Sequence, residues 1–175
     1  VVRYGASAFA RAGLSFSHGS DNPVDEAHAL ALFVLALDEY QAAGGTVPSE
    51  FYTARVSSAE HEYIGELYWR RLDERRPSAY LTHRAWFAGL PFYVDERVLV
   101  PRSPFAELIE RHFEPWVDPD AVTRIADIGT GSGCIAIACA YAFPWAEVIA
   151  ADLDADARAV AERNVADHGL DDRVH

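Results

Sequence analysis

The chain has 175 residues, of which 50% are hydrophobic, 12% aromatic and 24% charged, with 15 Lys+Arg against 27 Asp+Glu and a formal net charge of −12. Every basic residue is Arg; Lys and Met are both absent. The missing lysine excludes a P-loop nucleotidase, a pyridoxal Schiff-base enzyme and lysine-nucleophile catalysis, and the acidic balance argues against autonomous nucleic-acid binding, which needs a basic stripe.

Residues 3–12 read as a modest helix stopped by Gly13. Ser20-Asp21-Asn22-Pro23 then supplies a helix start, with Asn22 as cap and Pro23 at the first helical position. The helix that follows runs to about Leu37 and is apolar nearly all round, which predicts the buried axis of a small bundle. Its longest apolar run, Ala29 to Leu37, is too short to span a bilayer, and no basic start precedes it as in a signal peptide, so a cytoplasmic protein without membrane attachment is expected. Residues 44–48 form a loop. Ser57-Ser58-Ala59-Glu60 matches a capping box and opens a helix to about Arg76 with Ile64, Leu67, Tyr68 and Leu72 on one face.

After Pro77 the pattern changes. Residues 85–87 and 90–94 flank Ala88-Gly89 and predict a β-hairpin, with residues 98–100 extended behind it. Trp86, Phe87, Phe92 and Tyr93 are read as hairpin core rather than as a substrate groove. Ser103-Pro104 caps a helix over 105–113, and Pro115 and Pro119 bracket a linker. From Thr123 the reading is α/β: strand 124–128, the turn Gly129-Thr130-Gly131-Ser132-Gly133, a helix over 134–142, strand 146–151 ending at Asp152, a helix over 154–168 stopped by Gly169, and the opening of a third strand at 173–175. Cys134 and Cys139 fit neither a metal spacing nor a redox pair, and His18, His28, His61, His83, His112 and His168 show no ligand spacing.

Strand, glycine turn, helix, strand and acid in that order point to a cofactor site. The glycines permit positive φ and close approach of a ligand, and Asp152 stands where an acid accepts hydrogen bonds from ribose hydroxyls. The dinucleotide fingerprint G-x-G-x-x-G fails, since its last glycine would fall on Cys134 or Ala136. The pattern present, Asp127-Ile128-Gly129-Thr130-Gly131-Ser132-Gly133, resembles the first motif of class I S-adenosylmethionine-dependent methyltransferases. That resemblance implies S-adenosylmethionine as cofactor, bound by Gly129, Thr130, Gly131, Ser132, Gly133 and Asp152, and no metal.

Residues 79–83, Trp86-Phe87-Ala88-Gly89, Phe92-Tyr93-Val94 and above all Val98-Leu99-Val100-Pro101-Arg102 resemble the segment before the catalytic domain in bacterial N5-glutamine methyltransferases of protein substrates. That family has a release-factor branch and a branch acting on large-subunit ribosomal protein L-three. Pro101-Arg102 is followed by Ser103-Pro104-Phe105-Ala106-Glu107-Leu108-Ile109, and His18-Gly19-Ser20-Asp21-Asn22 precedes Asp25-Glu26-Ala27; both are similar to the ribosomal branch. The resemblance implies methyl transfer to the side-chain amide nitrogen of a glutamine in that ribosomal protein. Pro101 and Arg102 are the candidates for substrate binding, with a contact to the cofactor or a pairing with an acid as the alternatives for Arg102. The family's Asn-Pro-Pro-Tyr loop is absent from the 175 residues; Asn22-Pro23 is followed by Val24 and opens a helix instead. The expected architecture is α/β: a helical substrate-recognition domain (1–80), a β-hairpin with connecting helix (81–121), and the first two βα units of a truncated Rossmann-like domain (122–175), the catalytic loop lying beyond His175. The alternatives are a release-factor glutamine methyltransferase and a non-catalytic helical adaptor with a degenerate nucleotide-binding fold.

Overall fold

The computed structural model describes residues 1–16, 20–42 and 46–175. His18 and Gly19 of the N-terminal stretch, and Gly44 and Gly45 of the expected loop, lie outside the described residues. The chain forms two units, Val1–His83 and Arg84–His175.

The first unit is helical: α1 (Val2–Arg11), α2 (Pro23–Val34), α3 (Asp38–Ala42), α4 (Ser49–Thr53), α5 (Ser58–Asp73) and α6 (Ser78–Thr82). Local chemistry sets most ends. Gly13 takes φ +59, and the Leu14 N–H closes back on the Phe9 carbonyl at 3.4 Å. Asn22 Oδ1 accepts from the N–H groups of Val24 and Asp25 at 2.9 and 3.0 Å. Ser57 and Glu60 make the full reciprocal capping box, at 2.6 and 3.2 Å, and those bonds hold the Glu60 carboxyl below its ordinary range. Two ends differ from expectation. α2 stops at Val34 because the Leu37 N–H donates to the Leu32 carbonyl at 2.9 Å with Ala36 in the left-handed region at φ 54. α5 stops at Asp73, with Arg75 at φ 55. The five-residue helices α3, α4 and α6 were not expected, being too short to display a helical period.

α2 packs on α1, α5 and α6 around Phe9, Ala27, Leu30, Ile64, Leu67 and Tyr68. The Tyr68 hydroxyl donates to the Ala27 carbonyl at 2.7 Å, its ring meets Phe9 edge-on, and burial raises its pKa to about 12. Gly5 sits against that ring; a Cβ there would lie 2.4 Å from Tyr68 Cε2. Beside this core lies a buried ion pair. Arg71 Nε donates to Glu26 Oε1 at 3.0 Å, each side chain 3% exposed, while Arg71 Nη2 donates to the Ser15 carbonyl at 2.9 Å.

The second unit begins with the antiparallel hairpin β1 (Ala85–Phe87) and β2 (Leu90–Phe92), paired Ala85↔Phe92 and Phe87↔Leu90. Ala88 and Gly89 both take positive φ, as a two-residue I′ turn demands. β2 ends at Phe92 rather than 94, because the backbone of Tyr93 pairs with the Asn164 side chain instead of a strand. Residues 98–100 are irregular, not extended as strand. α7 (Phe105–Glu110) ends short of Phe113: the Phe113 N–H closes on the Leu108 carbonyl at 2.8 Å, with His112 and Phe113 at φ 53 and 59.

A one-turn 3₁₀ segment (Pro119–Ala121) leads to β3 (Arg124–Ile128), α8 (Cys134–Ala142), β4 (Glu147–Ala151) and α9 (Ala155–Asp167). β3 and β4 run parallel, Asp127 opposite Ala150 and Ile128 opposite Ala151. The expected third strand opens on the other edge of β4: Val174 bridges Val148 in parallel, and the Ala150 N–H donates to the His175 carbonyl at 2.7 Å. α9 is capped by Asp154, which accepts from the Asp156 N–H, and closes at its C-cap His168, followed by Gly169 at φ +64. Phe87 and Phe92 share one core with Ile137, Cys139 and Val148, so the hairpin aromatics split: those two are buried there, whereas Trp86 and Tyr93 are half-buried. Cys134 and Cys139 are free and buried; burial pushes both thiols up, Cys139 to about 12, so neither offers a thiolate near neutral pH. Among the described residues no helix is long and apolar enough to cross a membrane.

Candidate functional site

The ends of two parallel strands carry the site. Past Ile128 the chain must turn sharply into α8, and it does so through three positive-φ glycines, Gly129 (+79), Gly131 (+56) and Gly133 (+80). The N–H groups of Gly129 and Thr130 both donate to the Ala151 carbonyl, at 2.7 and 3.0 Å, and Gly133 donates to the Thr130 carbonyl at 2.9 Å. Chain neighbours aside, no atom of the described residues lies within 4 Å of where a Cβ would stand on Gly129 or Gly131, whereas one on Gly133 would meet Ala161 Cβ at 3.3 Å. The first two glycines therefore border open space, while a side chain on the third would press on α9 and strain a backbone at φ +80. Ile128 is 78% exposed and Leu153 fully exposed, leaving apolar side chains at the rim of that space.

Two carboxylates organise the turn. Asp127 Oδ2 accepts from Thr130 Oγ1 at 2.6 Å and from the Ala136 N–H at 3.2 Å, so the first turn of α8 already has an anion at its amide end. Asp152 accepts from the Asp154 N–H on Oδ1 at 3.0 Å and from the Gly131 N–H on Oδ2 at 2.9 Å. These bonds hold its carboxyl below the ordinary range, so it is ionised at neutral pH. A carboxylate has about four acceptor directions; the Asp154 and Gly131 N–H groups take two, the Leu153 backbone also contributes, and a remaining direction suits a hydroxyl donor. Arg158 braces the loop by donating to the carbonyls of Asp152 and Leu153. The structure thus gathers Gly129, Thr130, Gly131, Ser132, Gly133 and Asp152 into one constellation, with Thr130 and Ser132 buried in it. Pro101, half-buried, and Arg102, exposed, lie in the irregular segment before α7, and the hydrogen bonds that build the turn do not include them.

Sequence reasoning missed Asn164. It is 1% exposed, accepts from the Tyr93 N–H at 2.7 Å, and donates to the Tyr93 and Ser132 carbonyls at 3.0 and 2.8 Å. Around it, the Arg163 guanidinium lies 3.5 Å over the Tyr93 ring, and the Tyr93 hydroxyl donates to Asp95 Oδ2 at 2.9 Å. Asp95 also takes a short pair with Arg97, 2.6 Å to Nη2, and the Arg97 bonds hold its carboxyl well below the usual carboxylate range. The sign follows: a depressed carboxylate stabilises the fold above its unfolded pKa and loses that contribution as pH falls through the folded value. Asp95→Asn is therefore expected to flatten the decline of the urea midpoint below about pH 4; an identical acid limb in both proteins would contradict it. Among the described residues no group of three or more His, Cys, Asp or Glu could hold a metal ion.

The methyltransferase small domain family matches residues 108–175. A ribosomal protein uL3 glutamine methyltransferase of Xanthomonas campestris pv. campestris is 49% identical over 166 residues, 95% of this chain and 52% of that protein. One of the same name from Bordetella pertussis is 47% identical over 175 residues, 99% of this chain and 57% of that protein. The chain thus spans about half the length of the curated relatives it matches. The crystal structure of the N-terminal domain of human METTL16 superposes at a TM-score of 0.41 and 18% identity, covering 83% of this chain and 52% of that one, too low to bear on the fold. The resemblance carried by residues 79–109 and by the glycine turn is therefore borne out: along nearly its whole length the chain is similar to uL3 glutamine methyltransferases, and residues 108–175 match the methyltransferase small domain family.

Proposed function

We propose that the chain supplies the cofactor-binding part of an S-adenosylmethionine-dependent methyltransferase that modifies the side-chain amide nitrogen (N5) of a glutamine in ribosomal protein uL3, in the cytoplasm. The observation that carries the proposal is the glycine turn with open space over Gly129 and Gly131 and an ionised Asp152 at the next strand tip, in a chain 49% identical to a protein named ribosomal protein uL3 glutamine methyltransferase. The residues fit such a cofactor. Asp152 keeps an acceptor direction for a ribose hydroxyl, and the turn accommodates a ligand that brings no phosphate, because the Ala136 N–H is already taken by Asp127.

When bound, the cofactor supplies an electrophilic methyl group. An amide nitrogen is a poor nucleophile, since its lone pair is delocalised into the carbonyl, so the enzyme's work is alignment and stabilisation of charge on that nitrogen. Residues 129–133 and 152 hold and orient the cofactor; Pro101 and Arg102 stand on the substrate side; residues 1–80 form a docking surface for the protein substrate. The amide grip belongs to the Asn-Pro-Pro-Tyr segment that the resemblance implies, which the 175 residues do not contain. The isolated chain is therefore expected to be inactive.

The test uses the longer enzyme that includes residues 1–175, labelled cofactor and uL3. Label should enter uL3 and disappear when the target glutamine is replaced; label that survives the replacement overturns the assignment, and label in a release factor but not in uL3 favours the other branch. Asp152→Ala in the same protein is expected to weaken cofactor binding about 10- to 100-fold by calorimetry, the loss of hydrogen bonds to a charged acceptor. Unchanged affinity would show that the acid serves only the turn.

A further inference from the structure

Asn164 uses its carboxamide as a neighbouring strand would use its backbone, accepting from the Tyr93 N–H and donating to the Tyr93 carbonyl. Its other amide hydrogen goes to the Ser132 carbonyl. That carbonyl belongs to the peptide linking Ser132 to Gly133, whose N–H is held from the opposite edge by the Thr130 carbonyl. The peptide plane is thus pinned on both edges, and only one of the pins comes from the turn itself. Such a pin matters here because the residues on either side of Ser132, Gly131 and Gly133, are glycines in positive-φ conformations, and glycine meets little steric resistance to rotation. The clamp is itself rigidly mounted. His168 Nε2 bonds to the Pro91 carbonyl at 2.8 Å, and Arg163 covers the Tyr93 ring, so α9 grips the hairpin exit on both sides of Asn164.

We propose that Asn164 is a positioning residue: it fixes the Ser132–Gly133 peptide in the orientation that receives the cofactor and locks that orientation to the hairpin exit at Tyr93. The proposal rests on the cofactor reading above. It differs from a general role in stability, because it places the effect on one peptide of one turn.

The longer enzyme carrying Asn164→Ala is compared with Val160→Ala, a cavity-forming change at a fully buried position of the same helix, under conditions where the two are equally stable. In ligand-free protein, amide exchange over residues 129–136 should accelerate about tenfold in Asn164→Ala, the loss of roughly one net hydrogen bond, and should not change in Val160→Ala. S-adenosylmethionine should bind Asn164→Ala about tenfold more weakly, while kcat at saturating cofactor stays within about twofold. Equal exchange and equal affinity in the two variants would overturn the proposal. Should Asn164→Ala fail to fold, Asn164→Ser, which is too short to reach the Ser132 carbonyl, is read by the same two measurements with the same expected directions. Failure of the wild-type enzyme to bind S-adenosylmethionine would instead defeat the functional reading, and the exchange comparison would still decide whether Asn164 pins the turn.

Discussion

Replacing Arg71 with alanine is expected to cost the helical unit about 3–5 kcal/mol. The reason is what it leaves behind. Glu26 stays 3% exposed without its cation, its Oε2 already has no hydrogen-bond partner among the described residues, and the Ser15 carbonyl loses the Arg71 donor. Urea unfolding of the whole chain followed by helical circular dichroism would measure the loss; a change below about 1 kcal/mol would show that water reaches the pair. The double change Glu26→Leu with Arg71→Met should recover most of the stability, since apolar groups of similar volume carry no desolvation debt.

Gly131→Val is expected to have the largest effect on ligand binding, raising the cofactor dissociation constant about 100-fold in the longer enzyme. Two costs add. The backbone at φ +56 resists a β-branched residue by about 1–2 kcal/mol, and the new side chain enters space that is open above the turn. The Gly131 N–H must also keep its 2.9 Å bond to Asp152, so a backbone that relaxes to relieve the side chain releases the acid as well. Calorimetry on the folded variant decides; near-wild-type affinity would place the ligand away from Gly131.

These two residues mark the limit of what the sequence makes legible. Gly131 was readable because a positive-φ turn between strand and helix leaves a local signature: alternating glycines, an acid before them and another at the next strand tip. Helix ends at Gly13, Asn22, Ser57, Asp154 and Gly169 were readable for the same reason, each being a contact between residues a few positions apart. The early stop of α2 was not, because Ala36 performs in the left-handed region what a glycine would have announced. Arg71 lies next to Leu72 on α5, and nothing local reveals that its guanidinium meets Glu26, 45 positions earlier. Asn164 is the extreme case. Its partners at Tyr93 are 71 positions away, and an asparagine in a helix of ordinary charged and small residues carries no pattern at all. The hairpin, legible as two extended runs about Ala88-Gly89, is placed against α9 by that contact together with those of Arg163 and His168, which are just as distant in sequence.

Asp127 also carries a consequence for selectivity. A strand-to-helix crossover with three glycines is a general invitation to anions, and nucleotides share the adenosine end of the proposed ligand. Here the invitation is withdrawn in advance: a carboxylate of the protein occupies the amide of Ala136 and the hydroxyl of Thr130. A phosphate arriving at the Ala136 amide would meet the Asp127 side chain in place of that donor. On the proposed reading, the turn therefore disfavours a phosphate at the Ala136 amide while leaving Gly129 and Gly131 open to a ligand.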